Sequence, residues 1–174
     1  MFIWVILTLL LIFVDQLSKW LAVIFLQGNG TVGVIPYLFN FRYLENDGAA
    51  WGMFGSQMGD GAYRWVFLLV SSVAILALCV YLFLVRPKEK LLLWSLFLIL
   101  AGGIGNMIDR LLLGFVVDFI EFAFIEFPVF NIADSCVCIG AALLVLYLII
   151  TTVKDYKNVH NKNVADGGDG GNEA

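Results

Sequence analysis

Four stretches of this chain are apolar for long enough to cross a bilayer: Met1–Leu26, Trp65–Val85, Leu91–Ile108 and Ile132–Val153. About 20 residues of helix span the roughly 30 Å of hydrocarbon. No water is available there to satisfy the backbone, so each stretch reads as a helix bonded within itself. The first lacks the basic flank and small-residue cleavage site of a signal peptide and is read as an uncleaved helix. Composition agrees: 61% of the residues are hydrophobic and 14% charged, against about 45–50% and about 25% in soluble domains. A net charge of -4 excludes a nucleic-acid partner, and three cysteines without metal-type spacing exclude a disulfide or metal scaffold. The expected fold is a mainly α membrane protein: a four-transmembrane-helix bundle with a small extracytoplasmic β-hairpin or cradle and an interfacial loop.

Basic residues in short loops set orientation. Arg86, Lys88 and Lys90 crowd the link between the second and third spans, and Lys154, Lys157 and Lys162 follow the fourth. Both regions are expected on the cytoplasmic side, with both termini, leaving residues 27–64 and 109–131 outside. Residues 157–174 are polar, rich in glycine towards the end and free of apolar periodicity, and are expected to form a disordered cytoplasmic tail in which His160 is solvated.

The outer segments carry different patterns. Tyr37, Phe39, Phe41 and Tyr43 occupy alternate positions, the period of a strand with one aromatic face. Asn46-Asp47-Gly48 then signals a turn, and Ala49–Phe54 returns as a second strand, giving an outer β segment over about 31–56. Such a hairpin either lies in the interfacial aromatic belt or holds an extended peptide. The second segment mixes Phe115, Phe119, Phe122, Phe124, Phe127 and Phe130 with Asp118, Glu121 and Glu126, and reads as a loop at headgroup depth beside a lipidic ligand.

Ionisable groups at membrane depth are costly and mark function. Asp15 and Lys19 lie towards the outer end of the first helix, Asp15 about 21 Å above Met1 at 1.5 Å per residue. Asn106, Asp109 and Arg110 end the third helix, Asn131 and Asp134 open the fourth, and Asp118 lies between them. Each has a structural explanation. Asp15 and Lys19 are four apart and can pair, Asp109 and Arg110 can form an interfacial salt bridge, and Asn131 and Asp134 suit a helix cap. Jointly they gather several acids at one level, where two adjacent carboxylates share a proton and serve as base and acid towards water and a carbonyl. That chemistry needs no metal or cofactor. Cys79, Cys136 and Cys138 read as packing residues, Ser18 and Ser135 lack a partner base apart from a weak Ser18–Lys19 pairing, and Gly102-Gly103-Ile104-Gly105 reads as close helix packing.

Five blocks in order resemble bacterial lipoprotein signal peptidase, signal peptidase II. They are Asp15-Gln16-Leu17-Ser18-Lys19, Asn46-Asp47-Gly48-Ala49-Ala50-Trp51, the run from Gly102 to Arg110, Gly114–Phe119 and Phe130–Ser135. The resemblance covers all but the tail and implies one integral membrane peptidase domain over 1–156. It implies an aspartyl endopeptidase of the bacterial inner membrane, working at the outer face, that removes signal peptides from diacylglyceryl-modified prolipoproteins amid membrane lipid and is inhibited by globomycin. The family's catalytic pair maps onto Asp118 and Asp134. Its substrate-binding or site-supporting residues map onto Asp15, Asn46, Gly48, Asn106, Asp109, Arg110 and Asn131, with Lys19 from the first block beside them. Trp51 stands where the family commonly has Phe, and basic residues before the first helix are missing. A non-enzymatic proton-coupled carrier or channel using the same acids is the alternative, as is a scaffold whose aromatic hairpin binds a partner.

Overall fold

The structure, a computed structural model, describes residues 2–47 and 62–167. Its four long helices are α1 (Phe2–Leu26), α2 (Ala62–Val85), α3 (Lys90–Leu112) and α4 (Ile132–Gly167), with strands β1 (Val32–Ile35), β2 (Phe39–Asn46) and β3 (Val116–Phe122). All four helices are long and apolar enough to cross a membrane. The chain is a multi-pass membrane protein. Gly48, the expected returning strand at Ala49–Phe54 and the last seven residues of the tail lie outside the described residues.

The helices are inside-out by the standards of a soluble bundle. In α1 the buried residues are Thr8, Asp15, Lys19, Ala22 and Leu26, one face at helical spacing, while Phe2, Leu9, Phe13 and Phe25 are exposed. Lipid is as apolar as leucine, so small and polar residues make the helix interfaces. α3 is central. It packs against α1, α2 and α4, and 56% of its apolar window is buried, against 11–22% for the other three. Glycine lets α4 come close: a Cβ on Gly102 would strike the Ala133 carbonyl oxygen and Val137, and one on Gly140 would lie 2.8 Å from the Ser95 carbonyl oxygen.

Residues 31–44 form two strands rather than one, with Phe39, Phe41 and Tyr43 all in β2 and Tyr37 in the turn before it. Pro36 and Tyr37, the latter at φ 63, turn the chain between β1 and β2, closed by Leu38 N–H donating to the Ile35 carbonyl at 3.0 Å. The segment read as an interfacial loop contains a third strand. β3 pairs antiparallel with β2, giving the order β1-β2-β3, with Leu44 opposite Asp118. Its sequence, Val-Val-Asp-Phe-Ile-Glu-Phe, is strand-forming by composition but has no clean period of two, because its first four residues are all buried. Residues 123–129 then loop back to an isolated bridge between Ile120 and Phe130.

The fourth helix does not end near Val153. It continues to Gly167, so a disordered tail from 157 is corrected over 157–167. No proline or glycine interrupts 154–166, and extending an existing helix costs far less than starting one. Tyr156 and His160, four apart, stack at 6.4 Å.

Candidate active site

Lys19 is the hub of a buried ionic group. Its ammonium lies 2.9 Å from Asp15 and 3.1 Å from Asp109 and donates to Asn106 Oδ1 at 2.9 Å, with Lys19, Asp15 and Asp109 each no more than 3% exposed. The i, i+4 pair expected within α1 therefore forms, but it also ties α1 to α3. Gln16 adds a second tie, donating to Asp109 Oδ1 at 2.9 Å, to the Gly105 carbonyl at 3.1 Å and to Asp15 Oδ2 at 3.2 Å. Gly105 makes room, since a Cβ there would lie 2.7 Å from Asp15 Oδ2.

The end of α3 feeds directly into β3. Leu113 N–H and Gly114 N–H both donate to the Asp109 carbonyl, and Gly114, at φ 94, takes the left-handed conformation common just past a helix end. The Asp109 carboxylate then receives Val117 N–H at 3.0 Å, fixing the strand that carries Asp118.

α4 starts with a reciprocal cap. Asp134 N–H donates to Asn131 Oδ1 at 2.8 Å, and Asn131 N–H donates to Asp134 Oδ2 at 3.2 Å, an Asn-x-x-Asp version of the capping box. A third free N–H of this first turn, on Ala133, donates to Asp15 Oδ1 at 2.8 Å. The capping reading and the site reading of Asn131 and Asp134 thus describe one arrangement.

Asn131 brings the two outer carboxylates together. Its side-chain amide donates to Asp118 Oδ1 at 2.7 Å while its backbone N–H holds Asp134. Asn46 donates to Asp118 Oδ2 at 2.8 Å, and Asn106 donates to Asp134 Oδ1 at 2.7 Å. The amides have no choice of direction. Lys19 has only donors, so Asn106 must accept from it through Oδ1 and turn its NH2 towards Asp134. Each oxygen of both carboxylates accepts one hydrogen bond, and among the described residues no buried side-chain nitrogen or oxygen lacks a partner.

Burial pushes the Asp118 carboxyl up to about 6, and the charge of Asp134 adds to the rise. Donation from Asn46, and to a lesser degree from Asn131 and the charge of Lys19, pulls the other way. Two adjacent carboxyls that share a proton can remove one from water and donate one to a carbonyl oxygen.

Of the other candidates, Arg110 faces the Phe67 ring of α2 with its guanidinium carbon 5.2 Å from the centroid, while the Asp109 carboxylate is taken by Lys19, Gln16 and Val117 N–H. Ser18 and Ser135 donate to the backbone carbonyls of Asp15 and Asn131, and Lys19 is committed to carboxylates, so a Ser–Lys pair is absent from this arrangement. Gln16 was not singled out from the sequence. Its position beside Asp15 and three before Lys19 was the available signal.

A family model described as signal peptidase II matches residues 7–150. A lipoprotein signal peptidase of Lactobacillus johnsonii is 41% identical over 152 residues, 87% of this chain and 95% of that one. The lipoprotein signal peptidase of Bacillus subtilis is 36% identical over 151 residues, 86% and 94% of the two chains. Two solved structures, each described as a bacterial membrane enzyme, superpose with TM-scores of 0.75 and 0.76. They share 28% and 29% of their residues with this chain over 87% and 85% of its length, and 90% and 93% of their own.

Proposed function

The chain belongs to the signal peptidase II family, and we propose that Asp118 and Asp134 are its catalytic pair, cutting the signal peptide from diacylglyceryl-modified prolipoproteins. The observation that carries this is the single asparagine, Asn131, holding both carboxylates at once. Water between them loses a proton to the ionised carboxylate and attacks the scissile carbonyl, whose oxygen takes the proton of the neutral one. As the C–N bond breaks, the departing amine receives the first proton and a hydroxyl of the tetrahedral intermediate returns its proton to the second carboxylate, so the pair regains its starting charge. Asn46, Asn106 and Asn131 orient the carboxylates, and Lys19, held by Asp15 and Asp109, fixes Asn106. Gly48 belongs to the same set on the strength of its motif.

Orientation follows the basic link at Arg86–Lys90, so both termini face the cytoplasm and the pair faces outward across the bacterial inner membrane. The acyl chains and apolar signal peptide of the substrate then stay in lipid while the scissile bond meets water. No metal or cofactor enters the mechanism. Globomycin is the expected inhibitor. The test is cleavage of a diacylglyceryl prolipoprotein peptide by purified protein, Asp118→Asn and Asp134→Asn, with globomycin added to a parallel wild-type sample. Cleavage by wild type alone, blocked by the inhibitor, is expected. Full activity in Asp134→Asn would sink the pair, and acid-dependent ion flux in proteoliposomes without cleavage would favour a carrier or channel.

A further inference from the structure

A groove of about 840 Å³ opens on the sheet beside the carboxylate pair. Four alternate residues of β2 line it, Asn40, Arg42, Leu44 and Asn46, facing Glu121 and the loop from Phe122 to Val129. Asn46 belongs to both regions: it lines the groove and donates to Asp118 at 2.8 Å. The groove is therefore continuous with the site where the peptide bond would be cut.

Two of its charges are paired. Arg42 lies 3.0 Å from Glu121 Oε1, and Asn40 donates to Glu121 Oε2 at 3.3 Å. Glu126 on the opposite wall is exposed and has no ion-pair partner among the described residues. Two acids against one base leave the groove with a net negative charge. The wall is stiffened by Phe122, whose ring packs edge-on to Phe124 and Phe127 at 5.5 Å each.

We infer that this groove receives the extended segment of substrate that follows the modified cysteine, and that Glu121, Glu126 and Arg42 make it favour basic over acidic side chains there. The inference rests on Asp118 and Asp134 being the peptidase centre. Three features select this occupant. The acyl chains and the signal peptide are apolar and belong in lipid, whereas the groove has a floor of amide, guanidinium and carboxylate interrupted by Leu44 alone. The polypeptide beyond the cysteine is the one part of the substrate that must leave the centre through water. From Asn46 to Asn40 the floor runs seven residues of strand, about 20 Å over the steps between them at roughly 3.3 Å per residue, the reach of a similar length of extended peptide.

The experiment compares kcat/KM for two diacylglyceryl prolipoprotein peptides, identical up to the cysteine and carrying either lysines or glutamates at the second to fourth positions beyond it. A third peptide ends directly after the cysteine. Wild type is expected to prefer the lysine peptide by about three- to tenfold at low salt, the scale of half-exposed charge contacts, and less at high salt. The double variant Glu121→Gln with Glu126→Gln should level the two rates, and Arg42→Gln should widen the gap. All should cut the short peptide like wild type, which separates the groove from the chemistry. Equal wild-type rates on the charged peptides, or an undiminished preference in the double variant, would overturn the inference while leaving the peptidase reading intact. If wild type cuts none of the three, both fall.

Discussion

Along one helix, α3, two packing solutions meet. In its first half Leu92, Leu93, Leu96, Phe97 and Leu100 bury against Leu82 of α2, with Trp4, Leu144 and Tyr147 around them. About two turns on, Gly105, Asn106 and Asp109 bury instead against Asp15, Lys19 and Asp134. The first half is held by shape and dispersion, which many side chains of similar volume can supply. The second is held by directed bonds, in which the order of donation is fixed by Lys19. Tolerance belongs to the first region and specificity to the second.

The largest effect expected from breaking the directed region is on chemistry. Asp134→Asn or Asp118→Asn should lower kcat by at least about 10³-fold, the scale of a lost acid or base, with the helix content unchanged by circular dichroism. Next is Lys19→Met, which leaves Asp15 and Asp109 buried without their cation. It should destabilise the protein by about 3–5 kcal/mol in a denaturation series, because removing one partner of a buried pair strands the other. Gly105→Ala pushes a methyl group against Asp15 Oδ2 and Ala133 and should cost about 1–3 kcal/mol in the same series.

A pH profile sharpens the contrast further. Asp118, with its carboxyl raised to about 6, loses its proton as pH rises through that value, so kcat/KM should fall on the alkaline side. Asn46→Leu removes a donor that favours the charged carboxylate, so that limb should move up, by about one unit for one hydrogen bond. Stability has the matching sign. A carboxyl raised by folding stabilises fully below the ordinary range of an aspartic acid and loses that contribution as pH climbs through about 6. Asp118→Asn should therefore gain thermal stability relative to wild type above pH 6. The smallest effect belongs to the shape-held half: Leu93→Met should cost less than about 1.5 kcal/mol and leave activity and pH profile in place.

The shape-held region was the easier to read from sequence. Length and hydropathy alone identify the four helices, because lipid imposes one requirement on every residue of a span. The tail helix escaped because its residues are polar, and only its continuity with α4 makes it helical. In the directed region the residue types and their common level were legible, but their connections were not. Lys19 reaches Asp109 across ninety positions of sequence, and nothing in Phe-Asn-Ile-Ala-Asp states that a helix cap will also hold a carboxylate from β3. β3 was missed because a strand buried at one end and open at the other has no single period. Its partner β2 showed the alternation at Phe39, Phe41 and Tyr43, and Pro36 with Tyr37 at φ 63 set it off from β1.

The closed bookkeeping of hydrogen bonds around Asn131 also bears on how such a protein can change under selection. Both ends of that amide and its backbone N–H are occupied, and Asn106 is held in the same way. A single replacement at either position leaves at least one neighbour stranded, so neutral drift there is closed off unless several residues change together. A small molecule that touches only these amides and the two carboxylates would leave the cell few one-step routes to resistance.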